Sequence, residues 1–248
     1  MNDIIEKNKD YYNKKFGEES DTSLNTEELM RWKIINFKLL TLDIGQHANI
    51  LDFGCGRGWL SAKLATYGQV TGVDLSPKSI KFATKNYGDK CRFINLDSTS
   101  DNIFEYLEEN SFDLIVSSEV IEHIVEQKKY FEHIGKLLKK DNGILLLTTP
   151  NGSLKDVYFS KGRKNWGQPL ENWLTSEQLL SYTKNIFTTI EIKTFNSAWL
   201  FNMYTKYSKT LSNRYLIYFI RKMYLLKMYE RWLNKRNLGL YLMMIAKR

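Results

Sequence analysis

A short apolar run that ends in glycines at alternate positions is the feature that most restricts the fold. Ile50-Leu51-Asp52-Phe53 is followed by Gly54-Cys55-Gly56-Arg57-Gly58, and residues 59–65 then resume with apolar side chains at helical spacing. This pattern reads as strand, tight turn and helix. A side chain at any of the three glycines would obstruct either the turn or the approach of a ligand to the backbone.

The same alternation of short apolar and helical segments continues through residues 69–73, 77–86, 91–95, 102–107, 112–117, 128–138 and 144–147. Strands alternating with helices at this interval imply βαβ units and a mainly parallel sheet whose central strands are apolar on both faces. Upstream, residues 27–41 place Leu29, Met30, Ile34, Phe37 and Leu40 at helical spacing, a face suited to covering that sheet. Downstream, Thr175 with Gln178 three residues on has capping-box spacing for a helix that begins at Ser176. Residues 188–195 and 239–246 read as two last strands, separated by a connection of roughly 40 residues. The expected organisation is a helical lid over 1–45 and an α/β domain over 46–248, with an insertion at 197–236.

A chain of 248 residues with 43% apolar content can bury a core of this kind. Its net charge of +8 resembles a nucleic-acid footprint until the distribution is examined. From Ser197 to Arg248, eleven Lys or Arg face a single acid, Glu230, so this tail carries +10 and the remainder −2. The basic character therefore belongs to the tail and not to the sheet-forming region. Two cysteines, Cys55 and Cys91, make neither a metal-ligand pattern nor a disulfide framework and are compatible with a reducing cytosol; both are expected to be buried. With no run of about 18 apolar residues and no secretion signal in the polar start, a cytoplasmic location is expected.

Glycines of this spacing at a strand's carboxyl end serve either as a ligand-free turn or as a cradle for a nucleotide-like cofactor. Acidic residues favour the second. Asp74 closes the second strand, where it can accept hydrogen bonds from two ribose hydroxyls, and Asp97 follows the third, where it can meet an adenine amino group. Asp52 sits beside a buried strand end, which is costly for a carboxylate without a partner, and a bound ammonium would supply one. A dinucleotide fits less well, because the Gly-x-Gly-x-x-Gly pattern wants a small residue at position 59 and Trp59 stands there.

Residues 50–58, 72–76, 95–98 and 112–123 resemble the successive motifs of class I S-adenosylmethionine-dependent methyltransferases, nearest in style to quinone-biosynthesis O-methyltransferases and to small-molecule and sugar methyltransferases. The likeness is good over roughly 45–150 and holds in outline elsewhere. It implies a Rossmann-like three-layer αβα sandwich, with a mostly parallel seven-stranded sheet closed by an antiparallel pair. It also implies S-adenosylmethionine as cofactor, with Asp52 and the backbone of Gly54, Cys55, Gly56 and Gly58 at the methionine part. Asp74 would take the ribose hydroxyls, Leu75 and Leu96 the adenine faces, and Asp97 with Ser98 the adenine edge. Ser118, Glu119 and Val120 would close over the sulfonium.

Methyl transfer asks the protein mainly for alignment, and a hydroxyl acceptor additionally needs a base within hydrogen-bond reach. Glu119, Glu122 and His123 follow the fourth strand, and His123 reads as either that base or a satisfied structural histidine. His47 and His133 have weaker claims, His133 lying in what reads as a surface helix. A divalent metal on Glu119, Glu122 and His123 is not expected, since no distant ligand completes a pattern.

For the acceptor wall, Tyr11, Tyr12 and Phe16 in the amino-terminal segment and Phe159, Trp166 and Trp173 after the fifth strand offer aromatic faces for a ring or sugar, or simple core packing. The insertion interleaves aromatics such as Trp199, Tyr215 and Phe219 with Lys206, Arg214 and Arg221. It is ranked first as a cap over the acceptor site, then as a peripheral membrane or polyprenyl contact, then as a nucleic-acid groove; a homodimer contact is a further reading. A small-molecule hydroxyl acceptor is the favoured substrate. The rivals are a lipid-linked acceptor and a catalytically silent binding module on the same fold.

Overall fold

In the computed structural model, the residues described are 2–15, 22–45, 47–160, 168–196, 232–234, 236 and 238–248. Phe16, Trp166 and most of the basic insertion lie outside them. Seven strands form one sheet in the order β3-β2-β1-β4-β5-β7-β6: β1 (Ala48–Phe53), β2 (Gly68–Asp74), β3 (Cys91–Asn95), β4 (Leu114–Ser118), β5 (Ile144–Pro150), β6 (Thr189–Phe195) and β7 (Tyr241–Lys247). The first five pair in parallel, while β7 runs antiparallel between β5 and β6. The expected sheet, its closing antiparallel pair and its helical layers are all present.

Period-two alternation along each strand explains the layers. Leu51, Phe53, Ile115, Leu145 and Leu147 face one core, covered by α5 (Gln127–Leu137) and α7 (Ser176–Thr183). Ile50, Leu114, Val116, Leu146 and Met243 face the other, covered by α2 (Thr26–Leu39), α3 (Trp59–Leu64) and Tyr158 of α6 (Lys155–Phe159). The remaining helices are α1 (Asn2–Lys15) and α4 (Pro77–Tyr87). Cys55 and Cys91 are buried free thiols, as expected.

Local signals set several helix ends. Ser76 caps α4 by accepting from Ser79 N at 3.1 Å, with Pro77 at the first helical position, and Thr175 and Gln178 form the expected capping box on α7. A second box, Asn25 with Glu28, starts α2.

Three expectations change. Residues 102–107 are not an α-helix; the chain makes a short 3₁₀ turn at Asp101–Glu105. In α2 Ile35 and Leu39 are the fully buried apolar residues and the expected Met30 and Ile34 pack partly buried on the same core, while Leu29, Phe37 and Leu40 are 45, 66 and 70% exposed. Apolar residues occur on two sides of this helix, so spacing alone could not choose a face. The Asn25 box and the contact of Glu28 with Arg57 set the rotation that the sheet receives. His133 is buried and not on the surface, its Nδ1 2.9 Å from the Ser98 carbonyl oxygen and its ring edge-on to Phe104.

Strand order reverses between β2-β1 and β4-β5, so the carboxyl ends of β1 and β4 diverge under departing connections and leave a crevice. The glycine turn leaves one lip and the segment from Ser118 to His123 leaves the other.

Candidate active site

The turn after β1 is built from backbone groups that bond to one another. Gly54 N and Cys55 N both donate to Val73 O at 2.9 Å, and Gly58 N donates to Cys55 O at 2.9 Å. Gly54, Gly56 and Gly58 have φ of +92°, +51° and +77°, a region that side chains other than glycine enter at a cost. Their surroundings differ. A Cβ on Gly54 would lie 2.4 Å from Val120 Cγ2, and one on Gly58 would meet Ala83 and Phe93, whereas one on Gly56 would meet nothing within 4 Å. Asp74 locks the turn from β2, its Oδ2 accepting from Gly56 N and its Oδ1 from Ser76 N, each at 2.9 Å. Burial raises its carboxyl above the usual range, and the two amides counter that.

The crevice opens into a cavity of about 620 Å³. Of the residues expected at the site, Tyr11, Tyr12, Gly54, Cys55, Gly56, Asp74, Leu75, Leu96, Ser98, Ser118, Glu119, Val120, His123, Phe159 and Trp173 line it. Three do not. Asp52 is 1% exposed beneath the turn, and its partner is the Ser61 hydroxyl at 2.6 Å, where an ammonium was expected. The Asp97 carboxylate folds back to accept from Thr99 N and Oγ1, both at 2.8 Å, which keeps it in its own loop. Gly58 supports the turn from behind. Among the wall residues that spacing did not reveal are Asn8, Glu27, Glu28, Arg31, Tyr158, Glu171 and Tyr241. The Asn25-x-x-Glu28 box is a local signal for where α2 begins, and Arg57 is tied to that box by an ion pair with Glu28 at 3.5 Å.

At the far end of the cavity the 3₁₀ turn Ile121–His123 gathers polar groups. His123 Nδ1 lies 2.9 Å from the Leu170 carbonyl oxygen. A carbonyl only accepts, so Nδ1 carries the proton, and in a neutral ring Nε2 is then the acceptor nitrogen. That nitrogen is 3.7 Å from Glu122 Oε1, and Tyr12 stands edge-on to the ring at 5.8 Å. Glu122 is buried, with Oε2 accepting from Thr149 Oγ1 at 3.0 Å. Glu119 adopts φ +60°, and its Oε1 is buried with no hydrogen-bond partner among the described residues. Burial pushes the carboxyls of Glu119 and Glu122 up to about 8; at Glu119 the neighbouring Glu122 adds to it. Burial likewise takes Asp52 to about 7, with the Ser61 hydroxyl opposing.

These three carboxyls have a consequence for stability. From the ordinary carboxyl range up to about pH 7 for Asp52 and about pH 8 for Glu119 and Glu122, the unfolded chain ionises them while the fold retains their protons, so stability falls as pH rises. The ligand-free protein is expected to be less stable at pH 8 than at pH 5 by on the order of a few kcal/mol. Urea unfolding at both values measures this, and Glu122→Gln is expected to shrink the difference. A slope of the opposite sign, or one unchanged in the variant, would show Glu122 to be ionised in the fold.

A family model described as "Methyltransferase domain" matches residues 44–197, more than half of the chain. The chain belongs to this methyltransferase family. The ubiquinone biosynthesis O-methyltransferase of Pelagibacter ubique is 32% identical over 129 residues, covering 51% of this chain and 52% of that protein. The chain thus spans about half the length of the curated relatives it matches. Among solved structures, a SAM-dependent methyltransferase from Archaeoglobus fulgidus superposes with a TM-score of 0.61 at 18% identity, over 90% of this chain and 95% of that one. Phosphoethanolamine N-methyltransferase 2 of Haemonchus contortus, in complex with S-adenosylmethionine, gives 0.56 at 21% identity over 86% and 52%. These likenesses show the class I S-adenosylmethionine-dependent methyltransferase fold.

The geometry suits that family's cofactor. Space over Gly56 is open where a Cβ would intrude, Asp74 is presented at the strand end beside it, and Leu75 and Leu96 supply apolar surface to the same wall. Among the described residues no three His, Cys, Asp or Glu side chains gather in a metal-binding group.

Proposed function

We propose that this chain transfers the methyl group of S-adenosylmethionine to a hydroxyl of a small, sugar-related or ring-containing molecule. One observation carries the reading: one cavity runs from the glycine turn to the His123 ring, whose Nδ1 is anchored on Leu170 O, between aromatic residues. Asp74 would hold the ribose, Leu75 and Leu96 the adenine faces, and Ser98 its edge. The backbone at Gly54 to Gly56 and at Ser118 to Val120 would hold the methionine part. The cofactor supplies a methyl carbon made electrophilic by a positive sulfur.

The protein supplies the rest. His123 Nε2 takes the hydroxyl proton as the oxygen attacks, and Nδ1 stays anchored on Leu170 O so that the acceptor lone pair keeps its aim. Tyr11, Tyr12, Phe159 and Trp173 surround the acceptor and reduce water access. Glu171 orients Trp173 by accepting from its indole Nε1. Helix α1 acts as a lid, pinned at two points: Asn8 Nδ2 donates to His123 O at 3.1 Å, and Ser76 Oγ donates to Asn13 Oδ1 at 2.7 Å.

A lipid-linked acceptor is the second reading. The relatives named ubiquinone biosynthesis O-methyltransferases favour it, and the wall of aromatics would accept an apolar ring as well as a sugar. The fold by itself does not choose between them.

Incubation with methyl-labelled cofactor and fractionated cell extract, followed by mass spectrometry, is expected to label a low-mass hydroxyl compound. Calorimetry should show S-adenosylhomocysteine binding at about micromolar Kd with no comparable binding of nicotinamide dinucleotides. Labelled macromolecules alone, or the reverse ranking of the two cofactors, would overturn the proposal.

A further inference from the structure

Two buried side-chain oxygens, on residues that line the cavity, have no hydrogen-bond partner among the described residues. Asn8 is 4% exposed, and its Nδ2 donates to the His123 carbonyl, which settles the orientation of the amide because two oxygens cannot share that bond. Its Oδ1 is therefore an acceptor, and it has no partner among the described residues. Glu119 Oε1 is likewise buried and unpartnered, on a residue held at φ +60°. Both residues line the cavity, and both lie next to the His123 turn. Native folds rarely leave such atoms unsatisfied, and strained polar residues cluster where ligands are gripped.

The donors that would satisfy them can be neutral or charged, and the surrounding charge decides. Glu27 and Glu171 line the same cavity, whereas the buried Glu122 keeps its proton to about pH 8. Arg57 is engaged by Glu28, and Arg31 lies over the Trp59 ring at 5.7 Å. The surplus is anionic. A cation placed at Glu119 would stabilise the ionised carboxylate against its burial and against Glu122, with His123, Arg31 and Tyr241 as the other groups that face it. Aromatic faces at Tyr12 and Trp173 add to the attraction for a cation.

We propose that the methyl acceptor carries a protonated amine, held between the Glu119 carboxylate and the Asn8 side-chain carbonyl, while its hydroxyl is presented to His123. The inference rests on the hydroxyl-methylation reading and narrows its substrate to amino-bearing sugars or rings. The cofactor also contains an ammonium, so the test must separate the two.

Calorimetric titration of the full chain, saturated with S-adenosylhomocysteine, compares matched pairs: tyramine with 4-ethylphenol, and glucosamine with glucose. The amine of at least one pair is expected to bind about tenfold or more tightly than its neutral partner, as a charge-assisted hydrogen bond would give. Glu119→Gln and Asn8→Ala should each reduce that preference, with S-adenosylhomocysteine affinity showing that each variant is folded. Equal affinity within both pairs, or a preference that survives both substitutions, overturns the proposal. So does a loss of S-adenosylhomocysteine affinity in Glu119→Gln as large as the loss of amine affinity, which would assign the carboxylate to the cofactor's own ammonium. Label transfer to hydroxyls without amine preference removes this inference and leaves hydroxyl methylation standing. Amine preference without hydroxyl transfer does the reverse.

Discussion

Replacing Gly54 with alanine is expected to abolish measurable S-adenosylhomocysteine binding and to lower the stability of the protein by about 2–4 kcal/mol. Two costs combine. The new Cβ must be held at φ +92°, and it lies 2.4 and 2.8 Å from the two methyl carbons of Val120, a branched side chain that cannot swing its tip away. Relief requires either the turn or the Ser118 to Val120 segment to move, and these are the two lips of the crevice. A chain of this size should lose roughly 2–4 °C of Tm per kcal/mol. Gly56→Ala is the informative contrast. Its Cβ would meet nothing within 4 Å, so stability should fall by only about 1–2 kcal/mol, the left-handed backbone cost. Binding should nonetheless be lost, because the methyl group would occupy the cavity itself. Calorimetry beside thermal unfolding separates the two effects. If Gly56→Ala binds S-adenosylhomocysteine like the parent, the glycine turn is architecture and the cofactor lies elsewhere.

His123→Asn is expected to lower kcat by about 10²–10⁴-fold, the usual contribution of a positioned base, while S-adenosylhomocysteine affinity stays within about threefold. Asparagine can offer an amide donor toward Leu170 O where Nδ1 now stands, so the connection that closes over the cavity keeps its anchor. What disappears is the acceptor nitrogen on the other side of the ring. The pH profile of kcat/KM supplies a second readout and is expected to differ between parent and variant. Turnover within a few-fold of the parent, with the same pH profile, would make His123 a structural residue.

Much of the cofactor end could be read from residue order because it is local in the chain. The turn from Gly54 to Gly58 follows its strand directly, and Asp74 and Leu75 sit where β2 ends; a strand end and its next residues can go to few places in an alternating α/β chain. The acceptor end was only partly legible. Tyr12 meets His123 across more than a hundred residues, Asn8 comes from the same helix, and Arg31 and Tyr241 arrive from two further elements whose rotation no short pattern specifies. Helix α2 shows why. With apolar side chains on both sides, its periodicity pointed Leu29, Met30, Ile34, Phe37 and Leu40 inward; Met30 and Ile34 do pack on the core, but Ile35 and Leu39 take the most buried places and the other three stay exposed.

The carboxylates draw the same division more sharply. Composition and spacing determined that this chain is an α/β domain with a cofactor turn at the end of its first strand, because hydrophobic periodicity and glycine conformations are properties of neighbours in sequence. Only the tertiary structure decided which acids face the cavity. Asp52 and Asp97 accept from Ser61 and Thr99 and stay off the cavity, Asp74 lines it while accepting from the Gly56 and Ser76 amides, and Glu119 Oε1 has no partner among the described residues. The direction a carboxylate takes depends on how the turns and layers pack around it, and such packing leaves no periodic trace in the chain.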